Sequence, residues 1–269
     1  MPGTGNPRAM KHITSHENPF FKELKKLAGS ARARRKSGLI LLDGVHLLQS
    51  CVAAGIKPQH IVLTAAALQV AEIGTVLASI QDVPLIRIED ALFAELSDLK
   101  SPSGVLAVIA RPVSGKSVAQ TRFGLLLEDI QDPGNLGSVL RSASAAGCDA
   151  VFLSNGCADV WSPKVLRAAM GGHFGLPIHE SADLLAVAAA FRGRVIAATL
   201  HGKTPLFDCD LRGDILFAVG NEGAGLSGDL LSLCGDQAYI PMAGGMESLN
   251  AAAAAAVCLF EAVRQRGQV

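Results

Sequence analysis

Ile215-Leu-Phe-Ala-Val219 runs directly into Gly220-Asn-Glu-Gly-Ala-Gly225, so five apolar residues end in a glycine loop that contains one acid. A strand that is apolar at every position is buried on both faces, as in a parallel sheet with helices on each side. Further apolar runs occupy residues 124–127, 150–153 and 195–199, and another such run ends at Ile240. The pattern predicts an α/β domain with a mostly parallel sheet.

Helical segments separate these strands near residues 134–146, 162–170 and 184–191, and a final helix is expected from about Ser248. A second, smaller α/β alternation precedes them. Its expected strands are residues 39–42, 61–63, 85–88 and 105–109, and its expected helices are residues 19–28, 45–54, 68–79 and 90–97. Residues 111–120 lose periodicity and gather Pro, Gly and Ser. We therefore expect a domain of residues 1–110, a linker at 111–120 and a domain of residues 121–269.

Composition narrows the class of protein. The chain has 269 residues, of which 49% are hydrophobic, and its longest uncharged apolar run is about half of the ~20 residues that cross a bilayer. The N-terminus lacks the pattern of a secretion signal, so we expect a cytoplasmic protein. The six cysteines form no CxxC pair and the seven histidines form no i, i+4 pair, so we expect reduced thiols and no structural metal.

Charge is unevenly distributed along a chain that is neutral overall. Residues 1–36 contain nine basic residues against Glu17 and Glu23, a net charge of +7, which leaves −7 for residues 37–269. The basic residues are Arg8, Lys11, Lys22, Lys25, Lys26, Arg32, Arg34, Arg35 and Lys36. Such a block is typical of an arm that contacts nucleic-acid phosphates, and the alternative is a solvated, partly disordered N-terminus.

A phosphate-binding P-loop is a second alternative, because Ala110-Arg-Pro-Val-Ser-Gly-Lys116-Ser117 follows an expected strand. In a P-loop the Lys and Ser open a helix whose amides face the phosphates. Only a few residues separate Ser117 from the next expected strand, which leaves no room for that helix. We therefore treat the resemblance as accidental.

Three segments carry polar residues just after expected strands. In Asp129-Ile-Gln-Asp-Pro-Gly-Asn135-Leu-Gly-Ser-Val-Leu-Arg141, a Pro-Gly turn leads into a helix that presents Asn135 and Arg141. In the glycine loop, Glu222 stands beside exposed amides, where a carboxylate can pair with Arg141 or with a cationic substrate. In Ile240-Pro-Met-Ala-Gly-Gly-Met-Glu-Ser248-Leu-Asn250, Ser248 and Asn250 stand at a helix start. Each segment alone is also explained by capping or by an ordinary turn.

Together the three segments resemble the SpoU/TrmH branch of the SPOUT RNA 2'-O-ribose methyltransferases. The resemblance covers about residues 121–266 and rests on N-x-G-x-x-x-R at 135–141, G-x-E-G-x-G at 220–225 and I-P-M through S-L-N at 240–250. Ala251 and Ala252 depart from the more common valine and serine. The front half resembles a small L30e-like RNA-binding domain, through Ile13-Thr-Ser-His-Glu-Asn-Pro19 and Leu42-Asp-Gly-Val-His46.

The resemblance implies a trefoil-knotted C-terminal domain that binds S-adenosylmethionine, and a homodimer that methylates RNA, with ribosomal RNA favoured over transfer RNA. It implies no metal. The implied catalytic residues are Arg141, Asn135, Glu222, Ser248 and Asn250. The implied cofactor-binding residues are Thr199, Leu200, Gly202, Gly220, Asn221, Gly223, Ile240, Met242, Ser248 and Leu249.

Arg141 is the leading catalytic candidate by resemblance, but a guanidinium with a pKa above ~12 is a poor proton acceptor. We hypothesise that Arg141 positions the target phosphate and hydroxyl and that Glu222 orients Arg141. A non-catalytic RNA-binding protein that keeps the fold as a scaffold is the alternative from another class.

Overall fold

The computed structural model describes residues 10–113, 115 and 117–267. The chain divides into two compact units. The first comprises Met1–Arg111 and Trp161–Pro163, and the second comprises Pro112–Val160 and Lys164–Val269. Arg8 of the basic block and Lys116 of the P-loop alternative lie outside the described residues.

The first unit is a five-stranded mixed sheet in the order β1-β4-β3-β5-β2. β1 and β3 run parallel to β4, whereas β5 pairs antiparallel with β3 and β2. Its strands are β1 (Lys11–Ile13), β2 (Leu39–Asp43), β3 (His60–Leu63), β4 (Leu85–Ile88) and β5 (Val105–Ala110). Its helices are α1 (Pro19–Gly29), α2 (Ala31–Ser37), α3 (Val45–Ala53), α4 (Ala71–Ser79) and α5 (Asp90–Ala94).

The basic block is folded where it is described. Asn18 caps α1, and Phe21, Leu24 and Leu27 bury one face of that helix in the core. Ser30 caps α2, an element that the sequence did not predict because ARARRKS has no apolar period. Arg34 is buried and donates to the carbonyl oxygens of Leu27 and Ala28, so this member of the basic block has a structural role.

The second unit is a seven-stranded sheet in the order β10-β12-β9-β11-β6-β7-β8. Its strands are β6 (Phe123–Leu127), β7 (Ala150–Leu153), β8 (Ile178–His179), β9 (Arg194–Ala198), β10 (Thr204–Pro205), β11 (Ile215–Val219) and β12 (Asp236–Tyr239). Its helices are α6 (Pro133–Ala145), α7 (Pro163–Ala169), α8 (Leu184–Ala190), α9 (Gly228–Leu233) and α10 (Ala251–Arg266).

Every strand pair in this sheet is parallel, which confirms the predicted α/β class with a mostly parallel sheet beside a smaller α/β domain. All five residues of β11 are buried, as are all five of β6 beside it. Leu126, Phe152, Ala197 and Leu216 belong to a core that α8 and α9 complete. α10 packs against α6.

One prediction about local structure is corrected, and the rejection of the P-loop agrees with the structure. The final helix begins at Ala251 rather than at Ser248, because the Asn250 side chain accepts from the amides of Ala252 and Ala253 and so takes the cap position. Ala252 and Ala255 of that helix are buried within this chain. In the P-loop alternative Ser117 should begin an α-helix, but it precedes only the 3-10 turn Val118–Gln120.

The cysteines are free thiols. Burial raises the pKa of Cys148 and of Cys258 to about 12, so these two residues behave as small core hydrophobes. Within the described residues, no helix is long and apolar enough to cross a membrane.

Candidate functional site

The site lies at the carboxyl edge of the parallel sheet. β12, β9, β11 and β6 are neighbours in that order and point the same way, so the loops that follow them emerge side by side. These loops are residues 240–250, 199–202, 220–227 and 128–132, respectively. Open α/β sheets bind their ligands at this edge, so the segments singled out in the sequence meet where a ligand site is expected.

Three of the predicted catalytic side chains form one hydrogen-bonded chain. The Asn135 amide nitrogen donates to Glu222 Oε1 at 2.8 Å, and the Asn250 amide nitrogen donates to Asn135 Oδ1 at 2.9 Å. Asn250 Oδ1 is at the same time the acceptor that caps α10. Since each amide both donates and accepts, the orientations of Asn135 and Asn250 are fixed and join α6, the glycine loop and α10.

Arg141 stands on α6, about 9 Å along the helix axis from Asn135. Its side chain is exposed and, in the described part of the chain, no ion pair joins it to Glu222, whose Oε1 accepts from Asn135. The expected Arg141–Glu222 pair is therefore absent from this structure, because Glu222 is bonded to Asn135 instead. The guanidinium is left facing solvent, where an anionic group of a substrate can reach its fork of donors.

The glycine loop is a tight hairpin. Asn221 and Gly225 exchange two backbone hydrogen bonds, at 3.0 and 2.9 Å, and Asn221 Oδ1 accepts from the amides of Gly223 and Ala224. A Cβ on Gly220 would lie 2.3 Å from the Gly225 carbonyl carbon and oxygen. Only glycine fits there, so the sequence of this loop is adapted to close backbone approach.

The loop after β9 lies against the end of β12. Thr199 donates its amide to Ala238 O at 3.0 Å, and a Cβ on Gly202 would lie 2.6 Å from the Ala238 carbonyl carbon. Leu200 and Leu249 are exposed by 54% and 40%, although both are apolar. These two exposed leucines, on loops that follow neighbouring strands, offer apolar side chains that a ligand of mixed polarity can cover.

The third segment is less constrained than the other two. Ile240 and Met242 are half-buried, whereas Ser248 is exposed. In the described structure Ser248 has no hydrogen-bond partner, so it does not join Asn135 and Asn250.

Glu128 and Ser227, which the sequence analysis did not single out, form hydrogen bonds with each other beside the glycine loop. The acidic pair Glu128-Asp129 directly after an apolar strand is the signal that could have found them.

His173 is a further residue that the sequence did not indicate. It lies in the 3-10 turn Gly172–Phe174, which packs on α6 so closely that a Cβ on Gly172 would be 3.3 Å from Arg141 Cα. The His173 side chain is buried, with Nε2 at 2.8 Å from Val160 O. Burial lowers the pKa of His173 from 6.5 to about 4.

We expect this histidine to make the protein less stable in acid. The folded-state pKa lies below the unfolded one, so the unfolded chain binds a proton more readily, and stability present above pH ~6.5 is lost as the pH falls towards 4. The loss should reach about 3 kcal/mol, at about 1.4 kcal/mol per pKa unit. Urea unfolding between pH 7 and pH 4 measures it. His173→Gln should be less stable at pH 7 but show a flatter pH profile, and equal slopes for both proteins would contradict the assignment.

Within the described residues, no group of three or more His, Cys, Asp or Glu side chains could hold a metal ion. The edge instead offers exposed apolar side chains together with amide and carboxylate groups, which suit a ligand of mixed polarity such as a nucleoside.

Comparison with known proteins gives matches to two families. The SpoU rRNA Methylase family matches residues 122–260, and the MRM3-like substrate binding domain matches residues 18–107. The chain is 36% identical to an uncharacterized tRNA/rRNA methyltransferase of Synechocystis sp., over 94% of each chain. It is 32% identical to the 23S rRNA (guanosine(2553)-2'-O)-methyltransferase RlmP of Bacillus subtilis, over 93% of this chain and 98% of the relative.

Among solved structures, the SpoU methyltransferase AviRb from Streptomyces viridochromogenes, in complex with the cofactor AdoMet, superimposes with a TM-score of 0.83. It is 31% identical in sequence, over 93% of this chain and 98% of that chain.

Proposed function

The chain belongs to the SpoU rRNA methylase family, and from this premise we propose that it transfers the methyl group of S-adenosylmethionine to a ribose 2'-hydroxyl of ribosomal RNA. Membership confirms the resemblance that three short motifs indicated. The observation that carries the proposal is the Glu222–Asn135–Asn250 chain of hydrogen bonds, which lies beside the loops expected to hold the cofactor and on the same helix as an exposed Arg141.

The loops at the carboxyl edge fit S-adenosylmethionine. Gly202 and Gly220 let their loops pack tightly against the neighbouring backbone and so set the shape of this edge, while Leu200 and Leu249 offer apolar surface to an adenine ring or to the methionine carbons. Thr199, Asn221, Gly223, Ile240, Met242 and Ser248 complete the cofactor-binding set that we propose. When bound, the cofactor supplies a methyl group on a sulfonium sulfur, which is a good leaving group.

The chain's own residues then have to align the ribose oxygen with the methyl carbon. Arg141 is proposed to hold the target phosphate and hydroxyl through its fork of donors, since an arginine side chain stays protonated and does not act as a base. Asn135 is fixed from both sides by hydrogen bonds to Glu222 and Asn250, and so keeps this part of the site in one geometry. Ser248 is proposed to join them when substrate is bound.

Ribosomal RNA is proposed over transfer RNA because RlmP, an enzyme named for 23S rRNA, matches this chain over nearly its whole length. A homodimer, a knotted chain path, an L30e-like first domain and a cytoplasmic location belong to the same proposal. The homodimer rests on the resemblance alone, since the buried alanines of α10 are used within this chain.

The first unit is proposed to capture the RNA. Its exposed basic residues on α1 and α2 include Lys26, Arg32, Arg35 and Lys36, for which the described part of the chain offers no ion pair. Lys22 and Lys25 of the same block are paired instead with Glu17 and Glu95. The unpaired residues give α1 and α2 an exposed positive surface that suits a phosphate backbone.

Neutralising this surface should weaken RNA binding without changing the cofactor site. We expect the double variant Arg35→Gln/Lys36→Gln to bind its RNA about tenfold less tightly at low salt. The slope of log Kd against log salt should fall by about 0.7–0.9 for each phosphate that the variant no longer neutralises. Lys57→Gln/Lys100→Gln removes two exposed charges elsewhere in the same unit and is the matched control. Equal weakening in both double variants would count against a specific surface.

Two experiments test the proposed function. Calorimetric titration of the purified protein with S-adenosylmethionine should show binding, whereas absence of binding would favour the non-catalytic alternative.

Deleting the gene and mapping 2'-O-methyl marks by mass spectrometry should reveal one missing mark in ribosomal RNA. A missing mark in transfer RNA, or a missing base methylation, would overturn the substrate assignment.

A further inference from the structure

The segment after β6 contacts residues 220–227, which are the glycine loop and the two residues that follow it, at both ends. At the near end, the side-chain amide nitrogen of Asn221 donates to the backbone carbonyl oxygen of Asp129 at 2.9 Å. At the far end, Ser227 donates both its backbone N–H and its hydroxyl to the two oxygens of the Glu128 carboxylate, each at 2.7 Å. Two adjacent residues of one strand end therefore fix the beginning and the end of residues 220–227.

The loop is also fixed at its tip, because Glu222 accepts from Asn135. Asn135 lies on the helix that follows the same strand, so all three attachments of the loop are made to residues 128–135. Such a loop cannot change its curvature without breaking one of the three attachments, and it is held in one shape before any ligand binds.

Asp129 has a backbone conformation that favours this arrangement. Its φ is +55°, a region that residues other than glycine rarely adopt, and its carboxylate accepts from the Ser154 hydroxyl at 2.5 Å. Its amide donates to the same hydroxyl oxygen at 2.9 Å. Ser154 thus supports the strained residue whose carbonyl oxygen receives Asn221.

We propose that Glu128 is a positioning residue: its carboxylate, acting through Ser227, holds residues 220–227 in the shape that binds S-adenosylmethionine. This inference rests on the proposed function, in which that loop carries Gly220, Asn221 and Gly223 against the cofactor. In this proposal Glu128 acts through Ser227 rather than by contact with the methyl donor or the RNA. Its effect is on how tightly the donor binds rather than on the transfer step.

The test compares S-adenosylmethionine binding and steady-state kinetics for the full-length protein and its variants. We expect Glu128→Ala to raise Kd and KM for S-adenosylmethionine about tenfold, while kcat at saturating donor stays within about twofold. Glu128→Gln keeps one acceptor oxygen, and Ser227→Ala keeps the backbone donor, so both should give intermediate increases. A general loss of structure would not produce this split between KM and kcat.

Asp229→Ala is the matched control. Asp229 is an exposed acid in the first turn of α9, two residues from Ser227, and its carboxylate has no hydrogen-bond partner in the described part of the chain. We expect its Kd to equal that of the unaltered protein.

If Glu128→Ala fails to fold, Glu128→Gln and Ser227→Ala decide the matter in its place. Donor affinity unchanged in the folded Glu128 and Ser227 variants would overturn the positioning role, as would a fall in kcat alone. Failure of the unaltered protein to bind S-adenosylmethionine would instead overturn the proposed function.

Discussion

Arg141→Ala should lower the rate of RNA methylation by at least about 100-fold while leaving S-adenosylmethionine affinity unchanged. The reason is geometric: without the guanidinium the ribose hydroxyl is no longer held in line with the methyl carbon, and small displacements of a reacting group carry penalties of this size. Arg141 is exposed and has no ion pair with Glu222, so its removal should not unfold the protein. Single-turnover transfer of a labelled methyl group measures the rate directly.

Arg141→Lys separates charge from shape. Lysine keeps the positive charge but loses the planar fork of donors, so we expect it to restore only a small part of the rate. Arg192→Ala is a suitable control, because Arg192 is an exposed arginine just before β9, near the opposite edge of the sheet. Near-normal turnover by Arg141→Lys would mean that charge alone suffices and that the positioning role is wrong.

Gly220→Ala should weaken cofactor binding severely, raising the Kd for S-adenosylmethionine by about 100-fold or more. The added Cβ would lie 2.3 Å from the Gly225 carbonyl group and 2.5 Å from the Leu226 amide nitrogen. Backbone atoms cannot rotate away as a flexible side chain can, so the Asn221–Gly225 pairing has to open. Calorimetric titration of the folded variant measures the loss.

Gly228→Ala provides the comparison for Gly220→Ala. A Cβ on Gly228 meets nothing within 4 Å, and the residue opens α9, so alanine should be tolerated there or slightly stabilising. If Gly220→Ala bound the donor as tightly as Gly228→Ala does, the hairpin would not be part of the cofactor site.

Much of the fold was predictable because its central strands are apolar throughout. β7 and β11 have the predicted bounds, since turn residues flank each apolar run. The short strands β1, β8 and β10 were missed because two or three residues carry no periodicity. Such strands form by pairing with residues that are distant in sequence, as β10 does with β12, and the local sequence does not identify that partner.

The site was predictable in its location but not in its internal bonding. Three glycine- or turn-rich segments after strands indicated one edge of a sheet, and the structure places them there. The sequence indicated that Glu222 could pair with Arg141 or with a cationic substrate, whereas in the structure Glu222 accepts from the Asn135 amide. Opposite charges can be read from a sequence. Whether the glycine loop brings Glu222 close enough to bond Asn135 depends on the folded backbone.

The strand order of the second unit bears on how the protein acquires its activity during synthesis. β11 pairs with β6 some ninety residues earlier, and Asn250 reaches Asn135 across a separation of 115 residues. Contacts between such distant parts of a chain form slowly, because a long loop must close before any of them is made. A ribosome must also release Ala251–Arg266 before α10 can pack on α6. The Glu222–Asn135–Asn250 chain of hydrogen bonds can therefore form only after Asn250 and α10 have been synthesised.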